Sequence, residues 1–150
     1  DYAGILLYET LHRHGFASAP ESRAVDDDLR LRDCRITNAV KCVPPDNKPA
    51  IDEICNCNGY LATELASLPV DALVLGLGQI AHNAVLRARG LRQSHWRFGH
   101  GAEHGLPDGP RLIDSYHCSR YNTQTGRLTP AMFDAVVGRC RALVDEAPDA

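Results

Sequence analysis

The chain has 150 residues, 44% of them hydrophobic and 23% charged, with a formal net charge of −3. This length suits one globular domain with a substantial core, so we expect residues 1–150 to form a single domain. The slight negative charge argues against a protein that wraps nucleic acid, although it allows a local basic groove. No apolar run approaches the roughly 18 residues of a membrane span, and the first residues do not resemble a signal peptide. We therefore expect a cytoplasmic protein with no membrane partner.

The first half of the chain predicts two helices separated by a strand. Residues 2–14 have helical periodicity and are followed by Gly15, a residue type that often ends helices. Residues 34–40 are β-branched and bounded by charge, so they predict a strand that leads into a proline-rich loop at 44–49. Helical periodicity resumes near Asp52.

The second half alternates strands and helices. Residues 70–76 are largely apolar, which is typical of a buried parallel strand, and residues 79–90 predict the crossover helix after it. A loop rich in glycine and histidine at 98–105 precedes a predicted strand at 111–116. Thr129 and Pro130 favour the start of a last helix, as N-cap and first helical residue. The order predicts the α/β class, as a three-layer α/β/α sandwich with a central, mostly parallel sheet.

The cysteines suggest either a metal site or ordinary core packing. Six are present, at positions 34, 42, 55, 57, 118 and 140. Disulfides are rare in the cytosol, and a lone cysteine is more often a small buried hydrophobe. Cys42 and Cys57 are 15 residues apart, which suits two ligands of one site but matches no recognised zinc spacing. The chain has no Cys-x-x-Cys pair, so a redox protein is the weakest interpretation.

Two polar segments, residues 37–49 and 115–129, follow predicted strands, where open α/β sheets bind ligands. The second segment contains an imidazole, several hydroxyls, two amides and two arginines. Such a composition suits hydrogen bonding to a polar ligand and to phosphates. The alternative is a solvated loop that ends by capping a helix, and the composition alone leaves both interpretations open.

These segments resemble the iron–sulfur uracil-DNA glycosylases, most closely the type 5 enzymes of bacteria and archaea. The most specific part is the run His-x-Ser-x-x-Asn-Thr-x-Thr-Gly-Arg-Leu-Thr that begins at His117. Similarity extends from Asp1 to about Leu143 and includes residues 37–49, 53–61, 75–78, 98–102 and 115–129. The family's upstream Gly-Leu-Ala-Pro motif and two further cluster cysteines are not in this chain, so we expect that an N-terminal segment is missing.

The resemblance implies hydrolysis of the N-glycosidic bond of uracil in double- and single-stranded DNA, the first step of base excision repair. The nucleotide must leave the base stack before its glycosidic bond can be reached. His117 matches the family residue that donates to the uracil carbonyl where negative charge develops. Asp1 matches an acidic residue that orients water or stabilises the sugar cation, although a terminal aspartate is ordinarily only solvated.

The resemblance also assigns binding residues. Asn38 matches an amide that reads a pyrimidine edge, in a place where some type 5 enzymes have alanine. Asn47 and Asn122 are implied substrate-binding residues, and the alternative for Asn47 is a turn asparagine beside two prolines. The residues implied to contact DNA are Ser119, Arg120 and Arg127. Cys118 departs from many relatives, which carry proline or valine there.

Cys42 and Cys57 match two of the four cysteines that hold a 4Fe–4S cluster in the family. The other two ligands are expected in the missing N-terminal segment. The cluster is expected to be structural, because glycosidic hydrolysis transfers no electrons. We expect a monomer. The competing hypothesis is a catalytically silent α/β module that keeps the nucleic-acid groove of the glycosylases.

Overall fold

The computed structural model describes residues 2–21, 29–39 and 51–146, with only the backbone described at 51–58. Two compact units are present, one formed by Asp1–Ile36 with Ser115–Ala150 and the other by Thr37–Asp114. Whether the chain acts as a single domain stays a prediction. The elements in chain order are α1 (Tyr2–Arg13), α2 (Ile51–Ala66), β1 (Leu73–Leu77), α3 (Gln79–Ala88), a 3-10 turn (Gln93–His95), β2 (Glu103–Gly105), β3 (Arg111–Ser115), α4 (Arg120–Gln124) and α5 (Pro130–Glu146).

Helix α1 ends as its sequence predicts. Gly15 has φ +77°, a left-handed conformation that glycine adopts without a Cβ penalty, and the Phe16 amide donates to the Leu11 carbonyl at 2.8 Å. The inner face of the helix buries Leu6 and Leu11 together with Thr10, whose hydroxyl donates to the Leu6 carbonyl at 2.7 Å. The polar Thr10 is therefore satisfied within the helix.

Helix α5 begins at the predicted cap. The Thr129 hydroxyl accepts a hydrogen bond from the Met132 amide at 3.1 Å, and Pro130 is the first helical residue. Its apolar stripe then buries four residues in the core of the first unit, and α5 packs against α1. The four are Phe133, Val136, Val137 and Cys140.

The second unit is built on a small mixed sheet with strand order β1-β3-β2. β2 and β3 are antiparallel, and His104 lies opposite Leu112 in the register. Helices α2 and α3 pack together, and their apolar residues meet the sheet in one core. That core contains Leu61, Leu65, Ala84, Val85, Leu86, Leu106 and Leu112. The predicted α/β class is confirmed, and the sheet within the described residues is smaller than expected.

Three predicted elements differ from the structure. Residues 34–39, expected to form a strand, contain none, and Ile36 is exposed. β-Branched residues favour a strand only where a partner and a packing surface exist, so composition alone was misleading there. The predicted loop at 98–105 contains β2, and the mostly parallel sheet expected from the sequence is mixed. β1 is only partly buried along most of its length.

Among the described residues, we find no helix that is both long enough and apolar enough to cross a bilayer.

Candidate functional site

The polar segment 115–129, predicted to carry chemistry, is a turn-rich connection between β3 and α5. The short helix α4 lies in its middle, and Ser119 caps that helix by accepting a hydrogen bond from the Asn122 amide at 3.3 Å. The segment then turns through Gly126 and buries Leu128 completely before α5 begins. It is therefore an ordered connection with fixed ends.

His117 lies in the extended part of this segment, before the helix cap. The residue is exposed, and its carbonyl oxygen accepts a hydrogen bond from Nδ2 of Asn122 at 2.9 Å. Although part of the side chain meets solvent, the surrounding protein desolvates the imidazole and lowers its pKa below the ordinary value of 6.5. At neutral pH the ring is therefore uncharged and carries one N–H donor.

Cys118 anchors the backbone beside His117. It is only 2% exposed, and its Sγ donates to the Ala3 carbonyl at 3.5 Å. Burial raises the pKa of its thiol, so the group is protonated at neutral pH. These features fit a small buried residue that fills a core position.

The residues implied to contact DNA have different environments. The Ser119 hydroxyl caps α4, and Arg120, the first residue of that helix, is exposed. The Arg127 guanidinium lies 5.4 Å from the ring centroid of Tyr116, a cation–π distance. Tyr121, which the sequence interpretation did not select, is 74% exposed. The sequence feature that could have drawn attention to Tyr121 is an aromatic residue inside a polar segment.

Asn38 belongs to the second unit, where it is exposed on an irregular stretch. Asp1, Cys42 and Asn47 lie outside the described residues, as does the side chain of Cys57. Their predicted roles stay predictions.

Cys34, Cys118 and Cys140 carry thiol groups in the described part of the chain. Burial raises the pKa of the Cys34 thiol, and the nearby positive charge of Arg141 offsets this in part. Protonated, desolvated thiols are poor nucleophiles, so these features favour packing over redox chemistry.

A buried polar cluster in the second unit was missed by the sequence interpretation. Asp114, on β3, is completely buried. Its Oδ1 lies 2.7 Å from Nδ1 of His82 on α3, and its Oδ2 lies 2.8 Å from Nε2 of His104 on β2. The Gly99 amide also donates to Oδ2, at 3.3 Å. The carboxylate thus joins three segments that are distant in sequence.

His82 is held between two acceptors. Its Nε2 lies 2.6 Å from the Trp96 carbonyl oxygen, which can only accept, so this nitrogen carries a hydrogen. Its Nδ1 lies 2.7 Å from Oδ1 of Asp114, so His82 connects the buried carboxylate to the Trp96 backbone.

The same three side chains offer a set of donor atoms for a metal ion, since one ligand atom from each lies within 4.8 Å of the others. The spacing fits hydrogen bonds better. Tetrahedral zinc with bonds of about 2.0–2.2 Å separates its ligand atoms by roughly 3.3 Å, which is longer than either histidine–carboxylate distance. We interpret the group as a hydrogen-bonded cluster.

Most of the chain, including the segments that carry these features, matches one protein family. Residues 1–140 match the model of the uracil DNA glycosylase superfamily, and the chain belongs to that superfamily. The type-5 uracil-DNA glycosylase of Thermus thermophilus is 46% identical over 143 residues, covering 95% of this chain and 65% of that protein. The type-5 enzyme of Mycobacterium tuberculosis is 40% identical, covering 95% and 54%. That of Pyrobaculum aerophilum is 36% identical, covering 91% and 58%.

We predict that Asp114→Asn destabilises the protein by about 3 kcal/mol, because breaking a buried, charge-assisted network leaves its partners unsatisfied. Urea unfolding would show a lower midpoint with an unchanged slope. The matched control is Asp71→Asn, an exposed carboxyl in the same unit, with an expected change within about 0.5 kcal/mol. Equal stability of the two variants would contradict the role of the cluster.

Proposed function

We propose that the protein hydrolyses the N-glycosidic bond of uracil in double- and single-stranded DNA and so initiates base excision repair. The observation that carries this proposal is an exposed, neutral His117 with its backbone anchored, inside the family-matched segment. The chain spans only 54% to 65% of the length of these curated relatives, so the activity is a proposal for the whole protein.

His117 would act as a hydrogen-bond donor to a uracil carbonyl. When the C1′–N1 bond breaks, its electron pair passes to the uracil ring and negative charge develops on the carbonyl oxygens. A neutral imidazole N–H placed there stabilises that charge without transferring its proton. The oxygen of a water molecule then bonds to C1′, and the water gives up one proton. Asp1 is the residue proposed to orient this water and receive its proton.

Recognition of the base and the DNA would involve separate groups of residues. Asn38 and Asn47 are proposed to hydrogen-bond the flipped base, since an amide both donates and accepts. Arg120 supplies an exposed positive charge for phosphate, and Tyr121 beside it offers an exposed ring on which a base can stack. Ser119 and Arg127 are also proposed to contact DNA. Ser119 caps α4, and the guanidinium of Arg127 lies over the ring of Tyr116, so both also order this segment.

A 4Fe–4S cluster is proposed as a structural cofactor. Cys42 and Cys57 would provide two thiolates, the ligand type that such clusters require, and the remaining two ligands are not assigned in this chain. The cluster would tie together the segments that hold its ligands. No step of the hydrolysis passes through it. Cytoplasmic location and a monomeric state stay predictions.

We predict that His117→Ala slows uracil excision by roughly 100-fold or more while DNA affinity changes little, as expected when a preorganised donor to a developing oxyanion is removed. Single-turnover rates on a uracil-containing oligonucleotide give the measurement. His95→Ala, which removes an exposed imidazole elsewhere, is the control and should leave the rate unchanged. DNA binding without excision by the wild type would favour the silent binding module.

The pH dependence of excision provides a separate prediction. Because desolvation lowers the pKa of His117 below 6.5, the neutral donor predominates at pH 7 and above. The contribution of His117 should therefore be constant from about pH 7 to 8 and decline as pH falls through the lowered pKa. Single-turnover profiles of the wild type and His117→Ala would isolate it. A contribution that grows toward acid pH would mean that the imidazolium is the active form.

We further predict that the protein made from its complete gene absorbs near 400 nm and that Cys42→Ala or Cys57→Ala removes this absorbance, because thiolates hold such clusters. Cys34→Ala and Cys140→Ala are controls that should keep the colour, since these thiols lie in a different unit and have packing roles. Iron and zinc analysis of each variant accompanies the spectra. Zinc in place of iron, or full iron content in the first two variants, would refute the cluster.

A further inference from the structure

We infer that Asn122 is a positioning residue for His117. Family resemblance places Asn122 among the substrate-binding residues, whereas its contacts in the structure are to the segment that carries the histidine. The inference rests on the proposed glycosylase function, because it assigns a role within that reaction. It concerns contacts within the polar segment 115–129 of the first unit.

The side-chain amide of Asn122 reaches back five residues along the chain. Its Nδ2 donates to the His117 carbonyl oxygen at 2.9 Å, a good hydrogen-bond length. This contact uses one of the two N–H groups that the amide offers. The observed bond gives Asn122 a role toward the backbone of His117.

Asn122 is itself fixed by its main chain. Its amide donates to the Ser119 hydroxyl at 3.3 Å, and its carbonyl accepts from the Leu128 amide at 3.0 Å. Leu128 is completely buried, so this second bond connects Asn122 to the core of its unit. The Nδ2 group that donates to His117 is therefore attached to a backbone that is itself held by hydrogen bonds.

The backbone of His117 needs such a support because it lies outside regular structure, between β3 and α4. On its carboxyl side, Cys118 is buried and bonded to the Ala3 carbonyl. With the carbonyl of His117 held by Asn122 and the next side chain held in the core, rotation of the peptide between them is restricted. The backbone from which the imidazole projects is thereby held in place before any substrate arrives.

Positioning of this kind has a large kinetic effect. A donor displaced by about 1 Å from a developing charge can lower the rate about 100-fold. The inference accordingly predicts a loss in the rate of bond cleavage with little change in affinity for DNA. It also predicts that Asn122 has no effect when His117 is absent, because Asn122 acts only through that residue.

The test is a double-mutant cycle in single-turnover uracil excision. Asn122→Ala and Asn122→Asp, whose ionised carboxylate cannot donate, should each slow excision by roughly 10- to 100-fold. In the His117→Ala background, either change should alter the rate less than about twofold. Thr63→Ala is the control, since its exposed hydroxyl donates to the Gly59 carbonyl at 3.0 Å within helix α2, outside the segment that carries His117. Its rate should stay within about twofold of the wild type.

A second measurement does not depend on activity. The imidazole ¹H–¹⁵N resonances of His117 should shift and broaden in Asn122→Asp and remain unchanged in Thr63→Ala, with thermal unfolding confirming that both variants fold. Absence of excision by the wild type would refute the proposed function and leave this measurement to decide the inference. Equal slowing by Asn122→Ala with and without His117, or unchanged imidazole resonances, would overturn the positioning role.

Discussion

The carboxylate of Asp114 is the constraint on which the second unit depends. A fully buried carboxylate is costly unless hydrogen bonds replace its lost hydration, and this one is surrounded by His82, His104 and the Gly99 amide. Each partner comes from a different segment. Satisfying one buried charge therefore orders helix α3, the glycine-containing loop and strand β2 around strand β3, and it requires all of them to fold together.

Strand β3 can hold the buried carboxylate of Asp114 because it is the middle strand of the sheet. Its side chains from Leu112 to Ser115 are buried. Side chains on both faces of β3 are therefore buried, and the last two of them, Asp114 and Ser115, are polar. The chain continues from β3 directly into the segment that contains His117.

Local signals in the sequence predicted the helix ends, and non-local contacts account for the errors. Gly15 ends α1 and Thr129 caps α5 because both features depend on adjacent residues. The strand expected at 34–40 required a partner that no local pattern specifies. The pairing of His82 with Asp114 spans 32 residues, and a histidine on a helix has no distinguishing local pattern. Composition left residues 115–129 open between a ligand site and a solvated loop, and the family resemblance assigned roles, but neither predicted that Asn122 turns back toward His117.

Several polar side chains of residues 115–129 form hydrogen bonds to the backbone of the segment itself. The Thr123 hydroxyl donates to the carbonyls of Ser119 and Arg120, and the Thr125 hydroxyl donates to those of Tyr121 and Asn122. Hydroxyls committed to the backbone hold a short, exposed segment in one conformation without a large apolar core. A donor that stabilises developing charge is effective only if it is oriented before the charge appears, because reorientation during the reaction costs free energy. These internal hydrogen bonds therefore order part of the segment that carries His117, the proposed donor.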